Sequence, residues 1–386
     1  MPLDYPLTAM SQALINPSIL SWSRQRAGLS EFDVAHGLPV KPEKVFEWES
    51  GESLPTFKQA QKWATIAHIP FGFLFLKSPP AEELPLPDLR TVGGAVPSKP
   101  SLNLIDTIKD VLGKYHWYLE YLNEHQSVQL PFVGRFSVDD SVGQVVADMR
   151  QTLGVVENTA RPAYDEYFRT LVAAAEAVGI LVMRSGIVGA NTHRKLDVGE
   201  FRGFALSDAK APVVFINSAD APSARLFTLI HELAHIWIGS SGISSGSINI
   251  GRQDEVFCNA VAGEFLVPEA SFLEGWNHNV EWFENLPILA SHFRVSKLVI
   301  ARRACDLNLI SNTYYSNYYL TELESFRNKE KSGGSFYLNA GAKNSNRFSK
   351  AVLAEALSGR ILLRDAAKLL GLQPSKIKTY AASLGE

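Results

Sequence analysis

His231, Glu232 and His235 stand in the order H-E-x-x-H inside an apolar stretch running from Leu226 to Ile238. On an α-helix, residues i and i+4 share a face. Two imidazoles so placed can grip one Zn2+, and the glutamate beside the first lies next to water held at the ion. The string implies metal-assisted hydrolysis, most commonly of a peptide bond. The plainer reading is a buried helix whose histidines bond to polar neighbours. It fits poorly, because three polar side chains on adjoining faces of an apolar helix each need a partner once dry. Asp220 as N-cap and the early Pro222 predict where this helix starts, and Gly239 where it ends.

Catalytic zinc takes three protein ligands and keeps one open position. Residues 254–268 read as a second helix, with Phe257, Val261, Phe265 and Leu266 at helical spacing. Glu255 lies in its first turn, 20 residues after His235, which is chain enough to turn back. Asp254, one position round the helix, and Glu264, further along it, compete for the same role. Glu255 also reads as an exposed first-turn glutamate favoured by the helix dipole. Spacing alone leaves these alternatives open.

The segment from Arg225 to His235, followed by Glu255, Asn259, Ala262 and Phe265 to Pro268, resembles the ImmA/IrrE metallopeptidase family. That family reads F-T-x-x-H-E-x-x-H and then E-x-x-A-N-x-F-A-x-x-L-L-M-P. Cys258 and Val261 stand where it usually has alanine and phenylalanine, apolar exchanges on the packing face. The stretches from Phe201 to Asp208 and from Ala211 to Asn217 look like the strands before the family's metal helix. The likeness is good over roughly residues 145–312 and looser beyond.

The resemblance implies that His231, His235 and Glu255 hold Zn2+, a donor set that another divalent ion such as Mn2+ also fits. Glu232 would then be the catalytic base, taking a proton from the attacking water and returning it to the leaving amine. Asn259 is placed to brace the ligands. The oxyanion donor is open, with His278, His292, Tyr314 and Tyr315 as candidates, each of which also reads as structural. The resemblance further implies one protein substrate, a repressor or antitoxin-like regulator encoded nearby, whose cleavage derepresses genes. The competing function is a DNA-binding regulator or antitoxin-like protein whose peptidase domain acts as a sensor.

The elements that position these residues belong to a chain of 386 residues, long enough for two or three domains. Hydrophobic residues make up 46% and charged ones 20%, ordinary for a soluble protein. A net charge of −3 gives no global field towards nucleic acid or membrane. No basic-then-apolar leader and no apolar run of about 18 residues is apparent. Cys258 and Cys305 form no disulfide framework and read as buried free thiols. The expectation is a cytoplasmic protein without a membrane partner.

Residues 1–78 are expected to form an all-α unit, with helices over 20–26, 31–36, 42–48 and 56–67 and the apolar 71–76 as core. The order resembles an XRE-type helix-turn-helix, down to Trp48, Glu49, Gly51, Glu52, Pro55 and Thr56. Six basic side chains face seven acidic ones over residues 1–76, a balance of −1. Phosphate neutralisation supplies most of the affinity of such modules. The third helix offers Lys41 and Lys44 but also Glu43 and Glu47, and lacks Arg, Asn and Gln. A protein partner of similar fold suits this unit at least as well as DNA does.

Six prolines and Gly93-Gly94 make 79–101 an extended linker. The metallopeptidase domain is expected over 102–312, opening with a long helix to residue 128 whose Trp117, Tyr118 and Tyr121 read as core. Helices over 137–180 lead to strands at 179–183, 201–206 and 212–217. The Ser/Gly-rich 240–253 reads as a loop between ligands. Residues 286–312 read as a helical pair packed beneath the site, which also resembles a helix-turn-helix.

A helical C-terminal region, 313–386, completes the chain, with Lys329 to Gly334 as an exposed loop and a further helix-turn-helix pattern over 364–378. From residue 320 onward, eleven basic side chains face six acidic ones, net +5, the better electrostatic candidate for DNA. The fold class is α+β, mostly α: an all-α N-terminal unit, a zincin-like domain with a small sheet and the H-E-x-x-H helix, and a helical end.

Overall fold

The computed structural model describes residues 12–80, 100–156, 164–244, 253–327 and 343–385. The expected linker 79–101, most of the 240–253 loop and the expected loop at 329–334 lie largely or wholly outside the described residues. The chain divides into two compact units, Met1–Leu84 and Pro85–Glu386.

In the first unit, α1 (Pro17–Arg26), α2 (Glu31–Gly37), α3 (Pro42–Ser50) and α4 (Phe57–Ile66) precede a 3-10 turn, Phe71–Phe75. Side-chain caps set the boundaries. Ser30 and Asp33 close a capping box on α2, and Thr56 and Gln59 close one on α4. Trp48 and Trp63 meet edge to face at 6.2 Å over Ile19, Leu20, Val45 and Leu74, all buried. Arg24 locks α1 to α3 through a two-pronged bond to Glu49, at 2.7 and 2.8 Å. The apolar run 71–76 is core in part, with Phe71 and Phe73 packed half-buried against the rest of the core. Leu74 is buried, whereas Phe75 and Leu76 are exposed, because a three-residue turn directs few of its side chains inward.

The second unit is built around a four-stranded sheet of order β1-β3-β2-β4. The long α5 (Leu102–Glu124), α6 (Val142–Leu153) and α7 (Tyr164–Ala177) lead into β1 (Leu181–Ser185), β2 (Gly203–Leu206) and β3 (Val213–Asn217). Next come α8 (Pro222–Trp237), β4 (Gly242–Ser244), α9 (Gln253–Leu266), α10 (Glu269–Gly275), α11 (Trp282–Phe293), α12 (Lys297–Asp306) and α13 (Asn312–Arg327). Three helices, Asn346–Leu357, Leu363–Leu370 and Ile377–Ser383, end the chain. β1 pairs parallel with β3, while β2 runs antiparallel to both β3 and β4. β4 arises within the stretch expected as loop, and it exists because β2 offers its free edge.

Both faces of the sheet are covered, which is why β3 is buried along its whole length. Val182, Ala205, Val214 and Ile216 face a core shared with α6 to α9, α11 and α12. Leu181, Met183, Phe204 and Phe215 face α5 and the C-terminal helices. The aromatics of α5 belong to this second core. Trp117 and Tyr118 pack on Phe348, at 5.6 and 6.3 Å, and Arg347 donates to the Tyr118 hydroxyl. Cys258 is buried as expected, but Cys305 is only partly so. No single described helix is long and apolar enough to cross a membrane.

Candidate metal centre

α8 is apolar nearly all round. Leu226, Leu229, Ile230, Leu233, Ala234, Ile236 and Trp237 are inaccessible to solvent, and so is Glu232. Such a helix is stable only as a core element, between the sheet and α9. Its N-cap is Ala221, not Asp220. Asp220 lies one residue further out, where it accepts from the Ala221 amide and pairs with Arg202.

The C-terminal end of α8 is held by contacts that leave no mark in the local pattern. Gly239 adopts a left-handed φ of 68° and lies so close to Gly134 that a Cβ on it would sit 3.1 Å from the Gly134 Cα. The amides of Gly134 and Phe136 donate to the carbonyls of Ile236 and Trp237, at 3.0 and 3.1 Å. Helix-end carbonyls that would otherwise lack partners are thereby satisfied. The Trp237 indole stacks on Phe132 and donates to Asp148 at 2.7 Å.

α9 packs along α8 and carries Glu255 in its first turn, buried. Three donor groups converge. His231 Nε2 and His235 Nε2 are 3.1 Å apart. Glu255 Oε2 lies 3.3 Å from the first, and its Oε1 3.4 Å from the second. Atoms bonded tetrahedrally to one ion at about 2.0–2.1 Å stand about 3.3 Å from each other. The observed spacings match, so the residues present fit a divalent ion. The same three residues form a buried group able to hold a metal among the described residues.

The other two carboxylates of α9 are engaged differently. Asp254 accepts from the Ser240 hydroxyl at 3.3 Å. Glu264 pairs with Arg303 of α12 and accepts from the Glu269 amide. Asn259, one turn beyond Glu255, interacts with His231. The oxyanion candidates are scattered in environment. His278 and His292 are exposed, Tyr314 is 58% exposed, and Tyr315 is buried beside the Arg302 guanidinium.

Electrostatics favour an ionised Glu255 and a neutral His235, whereas at His231 the lowering by burial is outweighed by the hydrogen bond to Glu255 and the nearby Glu232 carboxylate, which raise it. Burial pushes the Glu255 carboxyl up, but hydrogen bonds from both imidazoles outweigh it and hold it well below the usual range. Burial keeps His235 below its ordinary value, so it offers a neutral ring nitrogen. Burial likewise pushes the Cys258 thiol up, which leaves it inert beside the centre.

One residue missed by motif reading lies against Glu232. Gly203 of β2 faces Glu232, and a Cβ there would stand 2.8 Å from Glu232 Oε1, 2.8 Å from Thr228 Cγ2 and 2.9 Å from the Phe215 carbonyl. A glycine inside a strand is the available signal for such close approach.

Residues 175–304 match the Peptidase_M78 family, described as an IrrE N-terminal-like domain. The match runs from the end of α7 into α12 and contains the whole centre. It does not reach the N-terminal unit. Residues 344–383 match a domain of unknown function, DUF8813. Comparison with curated proteins gave no match.

Proposed function

We propose, from the premise that residues 175–304 form a domain of a peptidase family, that the chain is a zinc-dependent endopeptidase acting on a regulatory protein. The observation that carries this reading is the convergence of His231, His235 and Glu255 one residue from the buried Glu232. When bound there, Zn2+ or a similar ion supplies Lewis acidity and a nucleophile at neutral pH. Glu232 takes the proton of the attacking water and returns it to the leaving amine. Asn259 steadies His231. Extended substrate backbone pairs along β4, which lies at the edge of the sheet beside β2.

The substrate we favour is a repressor or antitoxin-like protein encoded nearby. Phe32 on α2 and Phe46 on α3 are 68% and 63% exposed, and Lys44 is paired to Glu47. These features suit a protein partner for the N-terminal unit better than a phosphate backbone. The rival reading, a DNA-binding regulator with a sensing peptidase domain, has no use for a base at Glu232. Glu232→Gln should retain one metal ion per chain and slow cleavage of the neighbour-encoded regulator by about 10²–10⁴-fold. Full cleavage by that variant would refute the endopeptidase reading.

A further inference from the structure

On the sheet face turned away from α8, two lysines meet in one small cavity. Lys114 of α5 and Lys343, at the head of the C-terminal segment, line it together with Asp110, Thr107, Ser185 and Phe215. Lys114 is only 4% exposed, and its Nζ donates to Asp110 Oδ2 at 2.7 Å. An ammonium carries three donors, and Asp110 takes one of them. Lys343 Nζ lies by Gly371, where a Cβ would stand 3.5 Å from it, and lines the cavity beside Lys114. The Asp110 side chain is 45% exposed, so it neutralises the interior weakly. Two ammoniums against one half-exposed carboxylate leave the cavity with a net positive charge.

The cavity's other polar groups do not redress that balance. The Thr107 hydroxyl donates to the Asn103 carbonyl, and the Ser185 hydroxyl to the Ile187 carbonyl at 2.6 Å. The lysines are therefore the donors on offer. The space measures about 10 Å3, room for one water-sized occupant.

We propose that this cavity binds a single small monovalent anion of the chloride type, held between Lys114 Nζ and Lys343 Nζ. Burial pushes the Lys343 ammonium below its ordinary value, and Lys114 pushes it further while Asp110 pulls back. An anion between the two lysines reverses the push. The site joins α5 and the sheet to the segment entering the C-terminal helices, so occupancy should tighten that junction.

The test is thermal unfolding of the full chain at constant ionic strength, with sodium gluconate exchanged for sodium chloride. Chloride should raise Tm saturably by about 2–4 °C. Lys343→Gln, at a partly exposed position, should fold and lose the chloride-dependent rise. Crystals soaked in bromide should show its anomalous peak between the two Nζ atoms. A Tm indifferent to the exchange would overturn the proposal. So would an undiminished rise in Lys343→Gln, or phosphate acting more strongly than chloride.

Discussion

Gly203 and Glu232 are in contact across the sheet–helix interface, with no room for a side chain between them. β2 passes so close to α8 that the strand itself forms a wall of the site. Gly203→Ala would crowd the Glu232 carboxylate, the Thr228 methyl and the Phe215 carbonyl at once, and of these the backbone carbonyl yields least. Overpacking of this kind costs about 1–3 kcal/mol. A displacement of about 1 Å at a catalytic group costs about 10²-fold in rate. We expect zinc content to stay at one per chain while cleavage falls by about that factor. Parallel measurement of bound metal and turnover checks this, and unchanged turnover would show that Glu232 tolerates the shift.

Removal of Glu255 should act on the metal before it acts on chemistry. Glu255→Ala leaves two buried imidazoles with one fewer donor. Metal content after dialysis should fall to near zero, while Glu264→Ala should keep it, because Glu264 bonds to Arg303 instead. Chelator treatment of the parent should abolish cleavage, and added Zn2+ should restore it. Retention of metal by Glu255→Ala would assign the third ligand elsewhere.

Asp148 should matter to stability although it lies outside the centre. Asp148→Ala deprives the buried Trp237 indole of its acceptor and Arg135 of its ion pair. An unsatisfied buried donor costs about 1–3 kcal/mol. Urea unfolding should show a loss in that range. A loss below about 0.5 kcal/mol would mean that water replaces the carboxylate.

Glu176 provides a pH test. Burial raises its carboxyl above the ordinary value of 4.5, against hydrogen bonds from Ser345 and the Asn346 amide. A carboxyl whose folded value is raised holds its proton longer in the folded state. It therefore subtracts stability as pH rises from the unfolded value through the folded one. Glu176→Gln keeps an acceptor for the Asn346 amide and removes the charge. It should be more stable than the parent at pH 7–8, with the advantage shrinking towards pH 4. Melting curves of both proteins across that range decide the matter, and an advantage independent of pH would exclude this cause.

Much of the centre is legible in the chain because its signals are local. The spacing of His231 and His235 depends only on helix periodicity, and the surrounding apolar residues announce a buried helix. The caps Ser30 and Thr56 bond to side chains three residues away, so they too are local features. Signals fail where the partner is remote. Asp220 has the look of an N-cap, yet it lies outside the helix and pairs with Arg202. β4 has no strand signature of its own and is made by the free edge of β2.

The sequence by itself determined the donor types, the helix that carries two of them and the α+β character of the chain. Spacing left Glu255, Asp254 and Glu264 open, and the resemblance pointed to Glu255. The tertiary structure brings Glu255 to the histidines, because packing of α9 on α8 sets the direction in which each carboxylate of α9 leaves the helix. It also decided that Gly203 abuts Glu232 and that Lys114 meets Lys343, pairs separated by 29 and 229 residues. Contacts across such separations arise from how layers stack, and periodicity within one element carries no record of them.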